Sequence, residues 1–380
     1  MMKEDLIATK PTQNTSKDLK SFVIYDYLCI GTSIIMCLEA CYRASKGESV
    51  LMVDRGKTLG GAWTNIEIDG IKNIENAIHY FLPDDQAIKF MRDKLHWPIE
   101  VSRRKYRYFK FFRLGYLRSP YSSWLGRLIQ KVFYFERQAK KLNVFSHIFK
   151  SIAEVVKGRG ERSYYVKNGS KGMLNSIKSM VKKMQIDIWY ESDLTNVVFD
   201  DVNKHVQCKV NDKTVLAKTL VLGHGARLPV LENINGNLEL TEKIYPRPAF
   251  HLIVEDSKKI VDLEIIMTSD SLIKYVHDVS RFTSLNDEEK LNIKVFVFAL
   301  HSHVNEDESL ADKLLSRLVD IGLVNADSRI LSSLYSDVIL PTLHDEDLYM
   351  IKDRFGDLVS VLRTENFSKG IGYYAEKWSN

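Results

Sequence analysis

The chain has 380 residues, which is enough for one large or two modest domains with cores of their own. Its apolar fraction of 45% and charged fraction of 27% are typical of a globular protein, and its formal net charge is +5. No stretch reaches the roughly 18 consecutive apolar residues of a membrane-spanning helix, so we expect no helix to cross a membrane.

The N-terminal residues 1–21 are polar, with no apolar core and no small-residue cleavage site. We expect a flexible arm there and not a signal peptide. Three of the four cysteines, Cys29, Cys37 and Cys41, fall within one short segment. This usage favours reduced, buried thiols in a cytoplasmic protein. Cys37 and Cys41 share a helix face, but no further ligand cluster is near them, and we predict no metal site.

The first elements that the pattern predicts are a strand, a tight turn, a helix and a second strand. Residues 25–30 read as a buried strand, the turn begins at Gly31, residues 34–44 have helical spacing, and residues 49–53 form another apolar run ending at Asp54. A glycine turn lets phosphate approach the backbone at a helix N-terminus. An acid at the end of the second strand is placed to accept hydrogen bonds from a ribose. This order is typical of a dinucleotide-binding unit.

The glycine fingerprint of that unit is incomplete. It requires glycine at 31, 33 and 36, and the chain has Gly31, Ser33 and Met36. Ser33 adds a Cβ where the backbone approaches a pyrophosphate, although its hydroxyl could donate to a phosphate oxygen. Met36 stands where a missing side chain normally lets helix and strand pack closely. The pattern therefore predicts the nucleotide-binding fold, while the two missing glycines count against the prediction that a nucleotide is bound.

A glycine pair, Gly60-Gly61, is followed by two short strands at 63–68 and 71–75, and the Asp69-Gly70 step between them indicates a hairpin. A small-x-His-aromatic turn containing His79 comes next. The chain here resembles the start of the flavin amine oxidase superfamily, above all its UDP-galactopyranose mutase and protoporphyrinogen oxidase branches. The segments that carry the resemblance are Gly31-Thr32-Ser33, Asp54-Arg55, Leu59-Gly60-Gly61, the hairpin and the His79 turn.

The resemblance implies an α/β fold: an FAD/NAD(P)-binding Rossmann-like domain of the glutathione-reductase type with an inserted α+β substrate domain. It implies that FAD is bound, with the glycine pair against the diphosphate and the backbone near Leu194 against the adenine. The family usually has a basic residue after the glycine pair, where this chain has Ala62. The cofactor-binding residues so implied are Gly31, Ser33, Asp54, Arg55, Gly60, Gly61, Trp63, Leu194 and Gly223.

The later elements follow the family order. We predict helices at 84–95, 169–184 and 306–321, and strands at 186–190, 194–199, 205–210, 214–217, 220–222, 250–254, 263–267, 273–277, 293–300 and 358–362. Arg363 opens a turn that resembles the family's Gly-Arg turn near the flavin. His79 and Arg363 are thus the implied catalytic candidates at the flavin ring. Family members continue into a longer closing helix, whereas this sequence ends at Asn380.

Residues 101–150 differ sharply from the rest, with thirteen Lys or Arg against one acid, Glu136. Aromatic residues are interleaved with these basic ones. Such a mixture suits an anionic small substrate or a peripheral membrane contact, and it equally suits a solvated face with a buried aromatic side. No nucleic-acid-binding signature accompanies the charge, so nucleic acid is not an expected partner.

The predicted organisation has a nucleotide domain from residues 22–85, 165–228 and 345–380, and a substrate domain from residues 86–164 and 229–344. The leading hypothesis is an FAD-dependent oxidoreductase or flavin-assisted isomerase acting on a small, anionic substrate. The alternative is a non-catalytic binding or scaffold protein. The same first segment is similar to the Rab GDP-dissociation inhibitors, which share this fold, bind no flavin and also lose the last glycine of the turn.

Overall fold

The computed structural model describes residues 24–76, 85–103, 106–110, 116–120, 162–223, 231–233, 236–238, 242–258, 264–268, 270–343, 345–362 and 367–378. The first strands in chain order are β1 (Ile24–Ile30), β2 (Val50–Val53), β3 (Asn65–Ile68), β4 (Ile71–Glu75), β5 (Ile99–Arg103), β6 (Tyr106–Lys110), β7 (Tyr116–Pro120), β8 (Arg162–Val166), β9 (Asp187–Trp189) and β10 (Leu194–Asp200). The remaining strands are β11 (His205–Val210), β12 (Lys213–Gly223), β13 (Leu231–Asn233), β14 (Gly236–Leu238), β15 (Glu242–Glu255), β16 (Glu264–Thr268), β17 (Ile273–Asp278), β18 (Ile293–Leu300), β19 (Arg329–Leu343) and β20 (Val359–Leu362). The helices are α1 (Ile34–Ser45), α2 (Asp85–Asp93), α3 (Gly169–Lys183), α4 (Glu289–Asn292), α5 (Leu310–Asp320), α6 (Asp345–Phe355) and α7 (Phe367–Lys377).

The first large sheet has the order β14-β13-β10-β11-β12-β1-β2-β9, and β20 also pairs with β12. Its centre is parallel: β12 and β2 flank β1, and β9 continues from β2. Strand β12 is long enough to have two partners on one side, with antiparallel β11 along its first half and parallel β20 along its second. The carboxyl ends of β1, β2, β12 and β20 therefore meet at one edge, which is where open α/β sheets bind ligands.

Helix α1 is the most enclosed helix of this sheet. Eight consecutive residues, 34–41, are buried. A helix that is buried all round needs cover on every side. Side chains of the sheet, α2, α3 and α7 provide that cover in one continuous apolar cluster. A second cluster on the opposite face joins β10–β12 to α6.

The second large sheet has the order β19-β15-β18-β17-β16-β6-β7. Its pairs are antiparallel except for parallel β16 and β6. Strand β18 is apolar on both faces because each face is covered. Phe296 and Phe298 pack with Leu314 of α5, while Val295 and Val297 pack with Ile74 of the β3–β4 hairpin. The hairpin thus packs against the second sheet, on the face opposite α5.

Most elements that the sequence predicts are present, and the differences concern long-range partners. The strands predicted at 214–217 and 220–222 are one strand, β12. Strands β5 to β8, β13, β14 and β19 and helices α4, α6 and α7 are not among the predicted elements, and β8 pairs with β5. The first sheet continues past residue 228 into β13 and β14, and the division into domains stays a prediction. Within the described residues, no helix is long and apolar enough to span a membrane.

Candidate functional site

The turn at Gly31 connects β1 to α1 at the carboxyl edge of the sheet. Gly31 has a φ of +94°, a conformation that favours glycine, and a methyl group on it would meet no described heavy atom within 4 Å. Its amide donates to the carbonyl of Val53 at 2.7 Å, which ties the turn to the end of β2. Ser33 is the exposed N-cap of α1, and its Oγ accepts the Met36 amide at 3.3 Å. The turn therefore has open space beside Gly31, and a backbone hydrogen bond connects it to the end of β2.

Asp54 follows β2 and has both carboxylate oxygens engaged. Its Oδ2 accepts a 2.6 Å hydrogen bond from the Thr32 hydroxyl, and its Oδ1 accepts a 2.6 Å bond from the Gly56 amide. Thr32 is buried, whereas Asp54 is partly exposed. A carboxylate offers about four acceptor positions, so this one retains capacity for ligand hydroxyls. The sequence indicated Asp54 but not its partner Thr32.

The glycine pair lies beside the Gly31 turn. The Gly60 amide donates to the Thr32 carbonyl at 3.0 Å, and Gly60 forms a parallel bridge with Ser33. A methyl group on Gly61 would lie 3.8 Å from the Ser33 Cα. Both glycines have positive φ, and Trp63 ends the short 3-10 helix that begins at Gly61. Two glycine loops that are separate in sequence thus form one rim, in which Ser33 and Gly61 are exposed and Gly60 is buried.

Met36 does not crowd this rim. The side chain is 1% exposed, and its Cε lies 3.5 Å from the position that a Cβ on Gly223 would take. Gly223 is the last residue of β12. Because glycine at 223 has no side chain, α1 can approach the sheet closely although position 36 is a methionine. The methionine at position 36, where the fingerprint requires glycine, therefore does not prevent close packing of the helix against the strand.

The predicted adenine end of the site lies where β9 turns into β10. The Asp54 amide donates to the Trp189 carbonyl at 2.9 Å, so the end of β2 is joined to this turn. Arg55 lies 2.5 Å from Asp193 between its Nε and the Oδ1, and both side chains are about half exposed. Leu194 is buried at the start of β10. Arg55 thus forms an ion pair with Asp193 on the surface. The sequence pattern did not indicate this partner.

The cysteines are buried and not activated. Burial raises the pKa of Cys37 and of Cys29 far above the ordinary value, and it raises the pKa of Cys41 to about 12. The Cys37 thiol donates to the Thr32 carbonyl at 3.4 Å. Thiols that burial holds in the neutral form are poor nucleophiles at neutral pH. The part of the chain that the structure describes holds no group of three metal-ligating side chains.

The two catalytic candidates, His79 and Arg363, lie outside the described residues. The segment that leads to His79 is anchored at Glu75, whose buried Oε1 accepts the Ser170 amide at 2.7 Å at the start of α3. The Glu75 carbonyl lies 3.1 Å from Nε2 of His251 on β15 of the second sheet. Burial lowers the pKa of His251, although its backbone contacts act against that shift, so the ring is neutral near pH 7. Glu75 therefore joins the two sheets directly before the predicted flavin-facing turn.

No protein-family model matches the chain, and neither does any curated protein sequence. Solved structures do match it over nearly its whole length. Putrescine oxidase bound to putrescine has a TM-score of 0.63 at 11% identity, covering 93% of this chain and 96% of that one. A protein assigned as a protoporphyrinogen oxidase, from Exiguobacterium sp. 255-15, has a TM-score of 0.61 at 10% identity, covering 93% and 99%. The Rab GDI of Plasmodium falciparum has a TM-score of 0.54 at 13% identity, covering 94% and 98%.

The chain shares the fold of these proteins. Identities this low show the fold and not the activity, since one fold hosts many functions. Two of these structures are named as oxidases, and the third is a Rab GDI. The neighbours therefore include representatives of both hypotheses that the sequence raised.

Proposed function

We propose that the protein binds FAD at the edge formed by Gly31, Asp54 and the Gly60-Gly61 pair, and acts as an FAD-dependent oxidoreductase or flavin-assisted isomerase. The observation that carries this proposal is the assembled rim: the Gly31 turn and the Asp54 carboxylate at the ends of adjacent parallel strands, with the Gly60-Gly61 loop beside them. The oxidoreductases that share the fold support the same reading.

The residues present fit a dinucleotide. Gly31 leaves open space at the start of α1, where helix amides favour an anion. The exposed Ser33 adds a hydroxyl on the same rim, and Met36 is turned into the core. Asp54 would hold the adenosine ribose, and the glycine pair would face the diphosphate. Ala62 supplies no cation for that diphosphate, so we expect tight binding to depend on the turn and on Asp54.

The bound flavin would supply electron-pair acceptance, and the chain would supply position and electrostatics. His79 and Arg363 are proposed to approach the ring, and Glu75 would hold the segment that carries His79 through its bonds to Ser170 and His251. The basic segment at 101–150 is proposed to favour an anionic substrate or an acidic membrane surface.

A non-catalytic binding role is the second candidate. It is favoured by Ser33 and Ala62, which both depart from the cofactor-binding pattern, and by the shared fold with the Plasmodium Rab GDI. In this role the rim would be a structural remnant. The two candidates differ in one measurable property, which is affinity for FAD.

The test is cofactor content and affinity. We expect protein purified without added cofactor to be at least partly yellow and to release FAD on denaturation. Asp54→Ala should weaken FAD binding by roughly ten- to a hundredfold, because a hydrogen bond to a charged group contributes about 1.5–3 kcal/mol. Asp200→Ala is the matched control, since Asp200 is also a strand-end acid of this sheet but caps a turn at Val202 and Asn203. A colourless protein that fails to bind added FAD in titration would support the non-catalytic role.

A further inference from the structure

We propose that Thr32 is a positioning residue of the nucleotide site, whose hydroxyl holds the Asp54 carboxylate in the orientation that receives a ribose diol. The proposal rests on the proposed FAD site and adds to it a residue that no glycine or acid pattern selects. Thr32 occupies the variable position between Gly31 and Ser33.

Thr32 connects the three segments that form the rim. Its hydroxyl donates to Asp54 Oδ2 at 2.6 Å, across 22 residues of sequence. Its carbonyl accepts the Gly60 amide at 3.0 Å, and that amide also lies 3.4 Å from the hydroxyl. The Cys37 thiol donates to the same carbonyl from within α1. One residue, through its hydroxyl and its carbonyl together, therefore connects the turn, the acid and the glycine pair.

Thr32 and Asp54 differ in burial, so the hydrogen bond between them runs from the interior toward the surface. Thr32 is 1% exposed, whereas Asp54 is partly exposed, so the hydroxyl reaches the carboxylate from the protein interior. The Gly56 amide occupies the other oxygen at 2.6 Å. The solvent side of the carboxylate is left for the ligand. A β-branched side chain has few χ1 options, so Thr32 is a rigid donor.

Fixing the carboxylate before binding favours the ligand. An aspartate that ends a strand samples several rotamers when nothing holds it, and ordering a side chain at a binding site costs free energy. The short hydrogen bond from Thr32 orders the Asp54 side chain before the ligand binds, so this free-energy cost does not arise on binding. The benefit is restricted to ligands that contact Asp54, which are those with an adenosine ribose.

The experiment compares three ligands on three variants. FAD and ADP both carry the adenosine ribose, and FMN lacks it. Thr32→Val keeps the shape of the side chain but removes the donor, Thr32→Ser keeps the donor, and Thr283→Val is the matched control. Thr283 is also buried, and its hydroxyl donates to the Ser280 carbonyl at 2.6 Å in the second sheet's region.

We expect Thr32→Val to raise the dissociation constants of FAD and ADP roughly tenfold and to leave that of FMN unchanged. Thr32→Ser should restore most of the affinity, and Thr283→Val should change none of the three. In an Asp54→Ala background, Thr32→Val should have little further effect on ADP, because the acceptor that it positions is absent. If Thr32→Val does not fold, Thr32→Cys takes its place, since a thiol is a weak donor of similar volume.

Three results would overturn the proposal. Unchanged ADP affinity in Thr32→Val would show that the hydroxyl positions nothing. An equal loss for all three ligands without rescue by Thr32→Ser would show a purely structural role. A parent protein that binds neither FAD nor ADP would refute the FAD site itself, and this result is distinct from the other two because it needs no variant.

Discussion

The Tyr374 hydroxyl donates a 2.8 Å hydrogen bond to Glu39, across 335 positions of sequence. Glu39 is 1% exposed within α1, and it also accepts bonds from Lys377 at 2.9 Å and Arg43 at 2.7 Å. A buried carboxylate is tolerated when cations and donors surround it. The last described helix is thereby fastened to the first helix of the nucleotide unit.

Removing the Glu39 carboxylate should destabilise the protein. We expect Glu39→Ala to lower the free energy of unfolding by about 2–4 kcal/mol, because it leaves two cations and a buried hydroxyl without their shared acceptor. Urea unfolding measures the loss, and amide exchange should show it first in α7. Glu48→Ala is the control: Glu48 lies 3.6 Å from Arg43 near the surface, so its loss should stay within about 0.5 kcal/mol. Equal effects of the two variants would contradict the role assigned to burial.

The same carboxylate should make stability depend on acid pH. Burial raises the pKa of Glu39, but the bonds from Lys377, Arg43 and Tyr374 outweigh it and hold the pKa below the ordinary value of 4.5. Its contribution is therefore complete above pH 4.5 and is lost as the pH falls below that value. Glu39→Gln should flatten the stability curve in this window. An unchanged slope between the parent and Glu39→Gln would refute the assignment.

His251 should make the stability of the fold depend on pH in a higher range than Glu39 does. Burial lowers the pKa of His251 below its ordinary value of 6.5, so the unfolded chain takes up the proton first. Its contribution is complete above pH 6.5 and declines as the pH falls below it. His251→Gln can still donate to the Glu75 carbonyl but cannot be protonated, and its melting temperature should vary less between pH 7 and pH 5. His303→Gln, at an exposed position, is the control for the loss of an imidazole as such.

Gly60 should not accept a side chain. Its φ is +130°, and a Cβ there would lie 2.6 Å from Leu174 Cδ2. We expect Gly60→Ala to cost about 2–4 kcal/mol through backbone strain and overpacking together. Gly70→Ala separates the two causes, since Gly70 has a φ of +82° but open space around it, and should cost only about 1 kcal/mol. Thermal unfolding of both variants measures the difference, and equal costs would rule out the contact with Leu174.

Met36 should contribute to folding and not hinder the ligand. Met36→Ala should lower the free energy of unfolding by about 2–4 kcal/mol, because it leaves a cavity beside Gly223. FAD affinity of the folded variant should stay within about twofold of the parent. Met350→Ala is the control, since Met350 is 45% exposed and its loss should change stability by less than about 0.5 kcal/mol. Markedly tighter FAD binding by Met36→Ala would show that the methionine obstructs the rim.

The local elements of the nucleotide unit follow from the sequence alone. Short apolar runs mark β1 and β2, helical spacing marks α1 between them, and glycine at 31, 60 and 70 selects turns that need positive φ. These preferences act over a few residues, so they can be read without knowing the partners. The position of Asp54 at a strand end follows in the same way.

Only the tertiary structure decided which segments meet. Thr32 with Asp54, Met36 with Gly223 and Tyr374 with Glu39 are contacts made by sheet pairing and helix docking, between residues that are distant in sequence. An apolar period tells which face of an element is buried but not what covers it. For that reason the sequence marked Met36 as an obstacle to close helix–strand packing and did not reveal the ion pair of Arg55. The fold buries the first against a glycine and places the second in an ion pair with Asp193.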